Sequence, residues 1–313
     1  MKLKKPKFWD YKKPNIISYI LWPLSFFLQV IYNASKIINS KKKYKEIKTI
    51  CVGNIYIGGT GKTSLSLKIY DILQRNKIKT CFIKKYYSDQ TDEQKILENK
   101  GKLFNYSKRK LSLEKAINED YEVAIFDDGL QDKSIEYDLN IICFNNLNFI
   151  GNSMTIPSGP LRENFKNIKK YDCIFLNGNM ENMENIRNQI FNINPNTKIF
   201  ETKYIPINTN EFNKNEKYLV FSGIGNHNTF VSMLKNDNFN IARDIEFPDH
   251  YDYSKNDLDK IIKISNENKL KILTTEKDFF RLKTKPNEIK IVKSKLEILN
   301  EKDFLKILSE LYG

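Results

Sequence analysis

A glycine-rich turn at residues 58–63 limits the folds open to this chain, because it joins a short apolar run directly to an amphipathic segment. Residues 49–52 are predicted to form a strand and residues 62–75 a helix. At such a junction the glycines let backbone N–H groups turn toward a phosphate, and the helix N-terminus adds its dipole. The turn is therefore predicted to be a phosphate-binding loop, formed by Gly58, Gly59, Thr60, Gly61, Lys62 and Thr63.

The last two residues of this loop carry its predicted chemistry. Lys62 can reach the β- and γ-phosphates of a nucleotide, and the Thr63 hydroxyl can bind Mg²⁺. The usual pattern, G-x-x-x-x-G-K-[ST], has a glycine where this chain has Tyr56. Gly-Lys-Thr at a strand–helix junction nevertheless favours nucleotide binding over a glycine turn that binds nothing.

Buried apolar runs alternate with amphipathic segments along the rest of the chain. Further strands are predicted at residues 80–83, 123–126, 139–144, 173–176 and 198–202, with helices at 92–100 and 111–119. This alternation is typical of an α/β fold with a doubly wound, mostly parallel sheet, like that of P-loop NTPases.

A polar stretch at residues 206–217 is predicted to be a domain boundary. Beyond it, predicted strands at 218–221, 272–274 and 289–292 alternate with helices near 228–235, 255–268 and 302–311. Three units are therefore expected: a membrane-associating segment at 1–40, a phosphate-loop domain at 41–205 and a smaller α/β domain at 206–313.

An Asp-Asp-Gly sequence follows the predicted strand at residues 123–126. Asp127 and Asp128 would lie at the carboxyl edge of the parallel sheet, where ligands bind in such folds. A carboxylate at that edge can hold Mg²⁺ directly or through water. Both aspartates are therefore candidate metal ligands, with a simple turn as the alternative.

The N-terminal segment has no charged residue from Pro14 to Ser35, and lysines flank it on both sides. It is long enough to span a membrane. Pro23, the basic flanks and the three- to four-residue spacing of Ser18, Trp22, Ser25, Gln29 and Asn33 favour an amphipathic helix lying in the membrane interface. A single span and a helix packed on the protein's own core remain open alternatives.

The chain carries 52 Lys and Arg against 38 Asp and Glu, a formal charge of +14. Such a surface attracts polyanions, including anionic phospholipid headgroups. No nucleic-acid-binding module is recognisable, so nucleic acid is not an expected partner. The four cysteines are spaced unlike metal ligands and lie in apolar runs, which predicts reduced thiols buried in strands.

Several single residues are weaker candidates. His250 lies between acidic residues and could shuttle protons or simply cap a surface turn, and His227 is expected at a helix start. Asp92 looks like a first-turn helix acid. Arg162 follows Gly-Pro and could bind a phosphate or form a surface ion pair.

The order of motifs along the chain resembles that of the tetraacyldisaccharide 4′-kinase family, the lipid A 4′-kinases. The motifs are GGTGKT, TDEQ, FDDGLQD, IPSGPLREN, FSGIGN, FPDHYDYS and TTEKD. The similarity covers nearly the whole chain, and the family also lacks the first glycine of the usual phosphate loop.

The resemblance implies a monotopic enzyme on the cytoplasmic face of the bacterial inner membrane. With ATP and Mg²⁺ it would phosphorylate the 4′-hydroxyl of a tetraacyldisaccharide 1-phosphate held at the membrane surface, without an obligate protein partner. Asp92 matches the family's catalytic base, His250 matches the histidine paired with it, and Lys62 would act on the transferred phosphate.

Some positions depart from the family pattern. Residues 84–87 replace an S-R-G-Y motif, Asp132 replaces a histidine, and His227 replaces a proline. A relative with weakened catalysis is therefore one alternative function. Another is a membrane-associated P-loop ATPase of the partitioning kind, although that class has a lysine where this chain has Ile57.

Overall fold

A computed structural model gives the structure of residues 5–38, 41–87, 91–178, 183–249 and 251–312. The α-helices are α1 (Ile16–Ile38), α2 (Lys62–Arg75), α3 (Thr91–Lys100), α4 (Arg109–Asn118), α5 (Met183–Phe191), α6 (His227–Asn236), α7 (Lys255–Glu267), α8 (Glu276–Arg281) and α9 (Glu301–Tyr312). The strands are β1 (Lys48–Gly53), β2 (Thr80–Ile83), β3 (Leu103–Phe104), β4 (Val123–Asp127), β5 (Leu139–Asn145), β6 (Cys173–Gly178), β7 (Lys198–Pro206), β8 (Lys217–Ser222), β9 (Asn240–Glu246), β10 (Lys271–Thr275), β11 (Ile289–Val292) and β12 (Ser294–Ile298).

Eight strands form the first sheet, in the order β12-β7-β6-β5-β1-β4-β2-β3. All neighbouring pairs are parallel except β12 with β7. The strand order reverses beside β1, which confirms the predicted doubly wound arrangement. Because β1 pairs with β4 and Val52 is in register with Asp127, the phosphate loop and the aspartate pair leave the same edge of the sheet.

Apolar side chains cover both faces of the first sheet. On one face, α2 and α9 pack over the strands, and Phe304 of α9 makes edge contacts with Phe175 and Phe200. The four cysteines are free and buried in β1, β2, β5 and β6, as predicted. The strands whose carboxyl ends carry the loops of the site are therefore packed into a hydrophobic core.

Four parallel strands form the second sheet, in the order β11-β10-β8-β9. The expected smaller α/β unit is thus present, but its predicted extent, 206–313, needs correction. β12 pairs with β7 of the first sheet, and Phe304 and Leu308 of α9 are buried in the first core. The C-terminal segment thus supplies an edge strand of the first sheet and a helix that packs on one of its faces, so residues 294–312 belong with that sheet.

Helix α1 turns a narrow polar stripe toward the protein. Ser18 is hydrogen-bonded to Asn152, Ser25 to Ser158, and Gln29 to the carbonyl of Arg162. Trp22, predicted on the same polar face, is exposed, as are most of the helix's large apolar side chains. Among the described residues, one helix, at 16–34, is long and apolar enough to cross a membrane.

Candidate active site

The phosphate loop has the backbone that its glycines were expected to provide. Gly58 and Gly61 have φ of +143° and +81°, values that residues other than glycine rarely adopt. The buried Asn54 amide donates to the Thr60 hydroxyl at 2.9 Å, and the Asn177 amide donates to the Thr60 carbonyl at 2.5 Å. The loop is therefore held from both sides, by Asn54 and by Asn177, and Lys62 begins α2.

Tyr56, which replaces the usual first glycine of the loop, has a structural role. It is buried, its hydroxyl donates to the carboxylate of Asp10, and it accepts a hydrogen bond from the ammonium of Lys5. The loop is therefore tied to the N-terminal segment at the position where the common pattern would have a glycine.

Asp127 ends β4 directly beside the start of α2. Its carboxylate is completely buried and accepts hydrogen bonds from Thr63 Oγ1 at 3.1 Å and from Ser66 Oγ at 3.2 Å. The ammonium of Lys84, at the end of β2, lies 2.7 Å from Asp127 Oδ2. Thr63 and Asp127, two of the candidate Mg²⁺ ligands, are thus in direct contact, and a buried lysine lies beside them.

Asp128 has the left-handed backbone φ of +61°, which turns its carboxylate toward the phosphate loop. Arg162 Nη1 lies 3.0 Å and Lys62 Nζ 3.9 Å from Asp128 Oδ1. Burial raises the pKa of this carboxyl, but Lys62 and Arg162 outweigh it and lower the pKa to about 2. Of the two roles open to Arg162, the structure shows an ion pair, made with a residue of the site.

Asp92 lies in the first turn of α3, as expected, and faces the second sheet. Arg281 Nη2 is 2.5 Å and Lys277 Nζ 3.6 Å from Asp92 Oδ2. The neighbouring Glu93 bridges two lysines: one oxygen lies 2.8 Å from Lys277 and the other 2.8 Å from Lys84. Ion pairs thus connect Asp92 to Asp127 through Lys277, Glu93 and Lys84. Asp127 in turn accepts a hydrogen bond from Thr63 of the phosphate loop.

His250 lies outside the described residues, so its predicted pairing with Asp92 stays a prediction. His227 begins α6 after the N-cap Asn226, as predicted. Its ring is buried, with Nδ1 2.7 Å from Ser222 Oγ and Nε2 3.1 Å from Asp244 Oδ2. These contacts give His227 a structural role within the second sheet.

Sequence reasoning missed three cations of the site: Lys84, Lys277 and Arg281. A lysine directly after a completely buried strand was a usable signal for Lys84, because a charge at that place needs a partner at the sheet edge. Lys277 lies in the TTEKD motif, which was noted without a role. Arg281 gave no local signal, since its partner Asp92 is remote in sequence.

The fold and site together define a class of protein. A phosphate loop between β1 and α2, with a buried aspartate on the adjacent strand, is the arrangement of a P-loop protein that binds nucleotide phosphates. Residues 17–312 match the family model for tetraacyldisaccharide-1-P 4'-kinase. The chain belongs to this family.

Individual relatives agree with the family match. A curated tetraacyldisaccharide 4'-kinase from Pelagibacter ubique is 58% identical in an alignment that covers 99% of each chain. One from Rickettsia canadensis is 32% identical over 98% of each chain. A crystal structure of LpxK from Aquifex aeolicus, described as an "apo" form in complex with ATP, has the same fold, with a TM-score of 0.68 over 95% of this chain and 100% of that one, at 23% identity.

Proposed function

We propose that this protein transfers the γ-phosphate of ATP to the 4′-hydroxyl of a tetraacyldisaccharide 1-phosphate, a step of lipid A biosynthesis. The family match supports the reaction. The observation that assigns this reaction to particular residues is the contact of Thr63 with Asp127 beside the phosphate loop. Phosphoryl transfer needs mainly positioning and charge neutralisation, and this edge of the sheet supplies both.

The residues of this edge suit Mg²⁺. The Thr63 hydroxyl and the carboxylates of Asp127 and Asp128 are hard oxygen donors, which this ion prefers. Mg²⁺ sites commonly use one or two carboxylates with substrate phosphates and water. The described residues contain no group of three or more His, Cys, Asp or Glu side chains arranged for a metal. When bound with ATP, the ion would neutralise charge on the phosphates.

Cationic side chains around the loop are suited to the remaining phosphate charge. Lys62, on the first turn of α2, is assigned to the β- and γ-phosphates, with backbone N–H groups of Gly58–Gly61 on the rest. Arg162 pairs with Asp128 in this structure, and its exposed edge is a candidate contact for the lipid substrate's phosphate.

Asp92 is assigned as the base that accepts the proton of the 4′-hydroxyl, with His250 as its partner. A sugar hydroxyl is a weak nucleophile, so a positioned carboxylate assists its attack. The ion pairs that join Asp92 to Lys277, and Glu93 to Lys84, support a fixed distance between this base and the phosphate loop. The motif match of Asp92 and His250 to the family pattern supports the assignment.

Helix α1 is assigned to the membrane interface on the cytoplasmic side of the inner membrane. Hydrogen bonds attach it to the phosphate-loop domain from Ser18 to Gln29, so it runs along that domain. Its residues Ile20, Trp22 and Phe27 are exposed to solvent. A helix bound along its length in this way favours lying on the membrane over crossing it. Lysines flanking the helix would bind anionic headgroups.

The test is transfer of labelled phosphate from ATP to a tetraacyldisaccharide 1-phosphate in mixed micelles containing Mg²⁺. We expect transfer with the wild-type protein, and loss of it with Lys62→Ala and with Asp92→Asn. Lys263→Ala, an exposed lysine on α7, is the matched control and keeps full transfer. Hydrolysis of ATP that does not depend on the acceptor would instead favour a membrane-associated ATPase.

A further inference from the structure

The first turn of α3 and the short helix α8 form an ion-pair cluster between the two sheets. Asp92 and Glu93 come from α3, and Lys277 and Arg281 come from α8. The side chains of Asp92 and Arg281 are only 6% and 8% exposed. Buried charges are costly unless they are paired, so the contact between the sheets depends on these partners.

One side of the Arg281 guanidinium, at Nη1, is fixed by contacts within the unit that contains the second sheet. Its Nη1 donates to the carbonyl of Gly223 at 2.6 Å and lies 3.2 Å from Asp278 Oδ1. Asp278 is itself fixed by hydrogen bonds from Tyr253 and Thr275 at 2.9 and 2.6 Å. The guanidinium therefore has little freedom to move relative to the strands of the second sheet.

The other side of the same guanidinium holds Asp92. Nε and Nη2 of Arg281 lie 3.1 and 2.5 Å from Asp92 Oδ2. The planar donor set of arginine makes such a contact directional, whereas an ammonium would act as a point charge. Lys277 approaches the same oxygen at 3.6 Å, so two cations from α8 act on one atom of the carboxylate.

We propose that Arg281 is a positioning residue, which sets the orientation of the Asp92 carboxylate relative to the phosphate loop. This inference rests on the proposed function, in which Asp92 accepts the proton of the acceptor hydroxyl. Arg281 touches neither ATP nor the acceptor in this account. It acts through Asp92, and it makes the position of the base depend on how the second sheet lies against the first.

The experiment compares Arg281→Met, Arg281→Lys and the control Arg243→Met in the micelle assay with the full-length protein, ATP, Mg²⁺ and the tetraacyldisaccharide 1-phosphate. Arg243 lies exposed on β9 of the same sheet. Arg281→Met is expected to lower kcat about 100-fold, the cost of a misplacement of about 1 Å. The KM for ATP should stay as in the wild type, Arg281→Lys should recover part of kcat, and Arg243→Met should lose nothing.

The same change in the Asp92→Asn background separates positioning from general structural damage. If Arg281 acts through Asp92, adding Arg281→Met to Asp92→Asn lowers the residual kcat no further. An equal fall in both backgrounds, or a raised KM for ATP with kcat unchanged, overturns the inference. If Arg281→Met lowers the folded fraction, the test uses Arg281→Lys instead, because this variant keeps the positive charge. The inference then requires that the smaller loss of kcat caused by Arg281→Lys is absent in the Asp92→Asn background.

The outcomes also separate this inference from the proposed function. If the wild-type protein transfers no phosphate, the proposed function fails and the inference fails with it. If the wild-type protein transfers phosphate and Asp92→Asn does not, while Arg281→Met retains wild-type kcat, the inference alone is wrong.

Discussion

Gly225, in the loop after β8 of the second sheet, lies directly against Gly59 of the phosphate loop. A Cβ at residue 225 would lie 2.4 Å from the backbone nitrogen of Gly59 and 2.6 Å from its Cα. Both partners in this contact are backbone atoms, so neither can rotate away. The second sheet thus closes over the phosphate loop through two residues that have no side chains.

Gly225→Ala is therefore expected to displace the phosphate loop. Overpacking of this kind costs about 1–3 kcal/mol, which corresponds to ATP binding that is about 5- to 150-fold weaker when the loop bears the strain. Titration calorimetry with ATP measures the change. Gly223→Ala is the control in the same loop, because its Cβ would meet Pro248, Tyr251 and Tyr253 rather than the phosphate loop. Equal ATP affinity for Gly225→Ala and the wild type would contradict the prediction.

Lys84→Met is expected to destabilise the folded protein strongly. It would leave the carboxylate of Asp127, which is completely buried, without its cation. Removing one partner of a buried ion pair costs about 3–5 kcal/mol. Guanidinium denaturation measures the free energy of unfolding. Adding Asp127→Asn should restore part of the loss, and Lys85→Met, at the next position, should change little.

Asp128 is expected to make stability depend on pH in the acid range. Its folded-state pKa of about 2 is below the ordinary aspartate pKa of 3.8, so the stabilisation is complete above pH 3.8 and is lost as the pH falls toward 2. The loss amounts to about 1 kcal/mol by pH 3. Unfolding in EDTA should show the stability difference between wild type and Asp128→Asn shrinking from pH 5 to pH 3. A difference independent of pH would show that Lys62 and Arg162 do not hold this carboxylate ionised.

The exposed side of α1 is expected to bind membranes. Phe27 is 61% exposed, and transferring such a ring out of water is worth about 1.5–3 kcal/mol. Phe27→Ser should therefore weaken partitioning into vesicles of anionic phospholipid about tenfold or more. Sedimentation with the vesicles gives the bound fraction. Tyr106→Ser removes an exposed ring outside α1 and should bind as the wild type does; an equal loss in both variants would mean that α1 is not the docking surface.

Local patterns were sufficient to predict six of the eight strands of the first sheet and its phosphate-binding edge. Each strand from β1 to β6, apart from the two-residue β3, is a buried apolar run, and the parallel order places Thr63 beside Asp127. By contrast, β9 is mostly exposed and three of its seven residues are charged, so its sequence carries no clear strand signal. β12 was not predicted because its partner strand, β7, is about 90 residues earlier in the sequence, and local patterns carry no information on such a pairing.

The candidate site divides in the same way. Lys62, Thr63 and Asp127 belong to motifs whose spacing determines their contacts, so they could be predicted. The partners of Asp92 could not, because Arg281 meets it only when two separate sheets come together. Arg162 could be identified as a candidate site residue, but the sequence did not predict that it pairs with the Asp128 carboxylate.

The pairing of β7 with β12 has a consequence for the architecture. The chain leaves the first sheet at Pro206 and re-enters it at Ser294, and these two residues are register partners in an antiparallel pair. Residues facing each other in this way have Cα atoms about 4.5–5.5 Å apart, a gap that a two-residue hairpin turn closes. Everything between them is topologically an insertion. The phosphate-loop domain is therefore expected to retain a continuous sheet and its core when that insertion is replaced by a turn, whereas cutting the chain after residue 206 would remove an edge strand and α9 from its core.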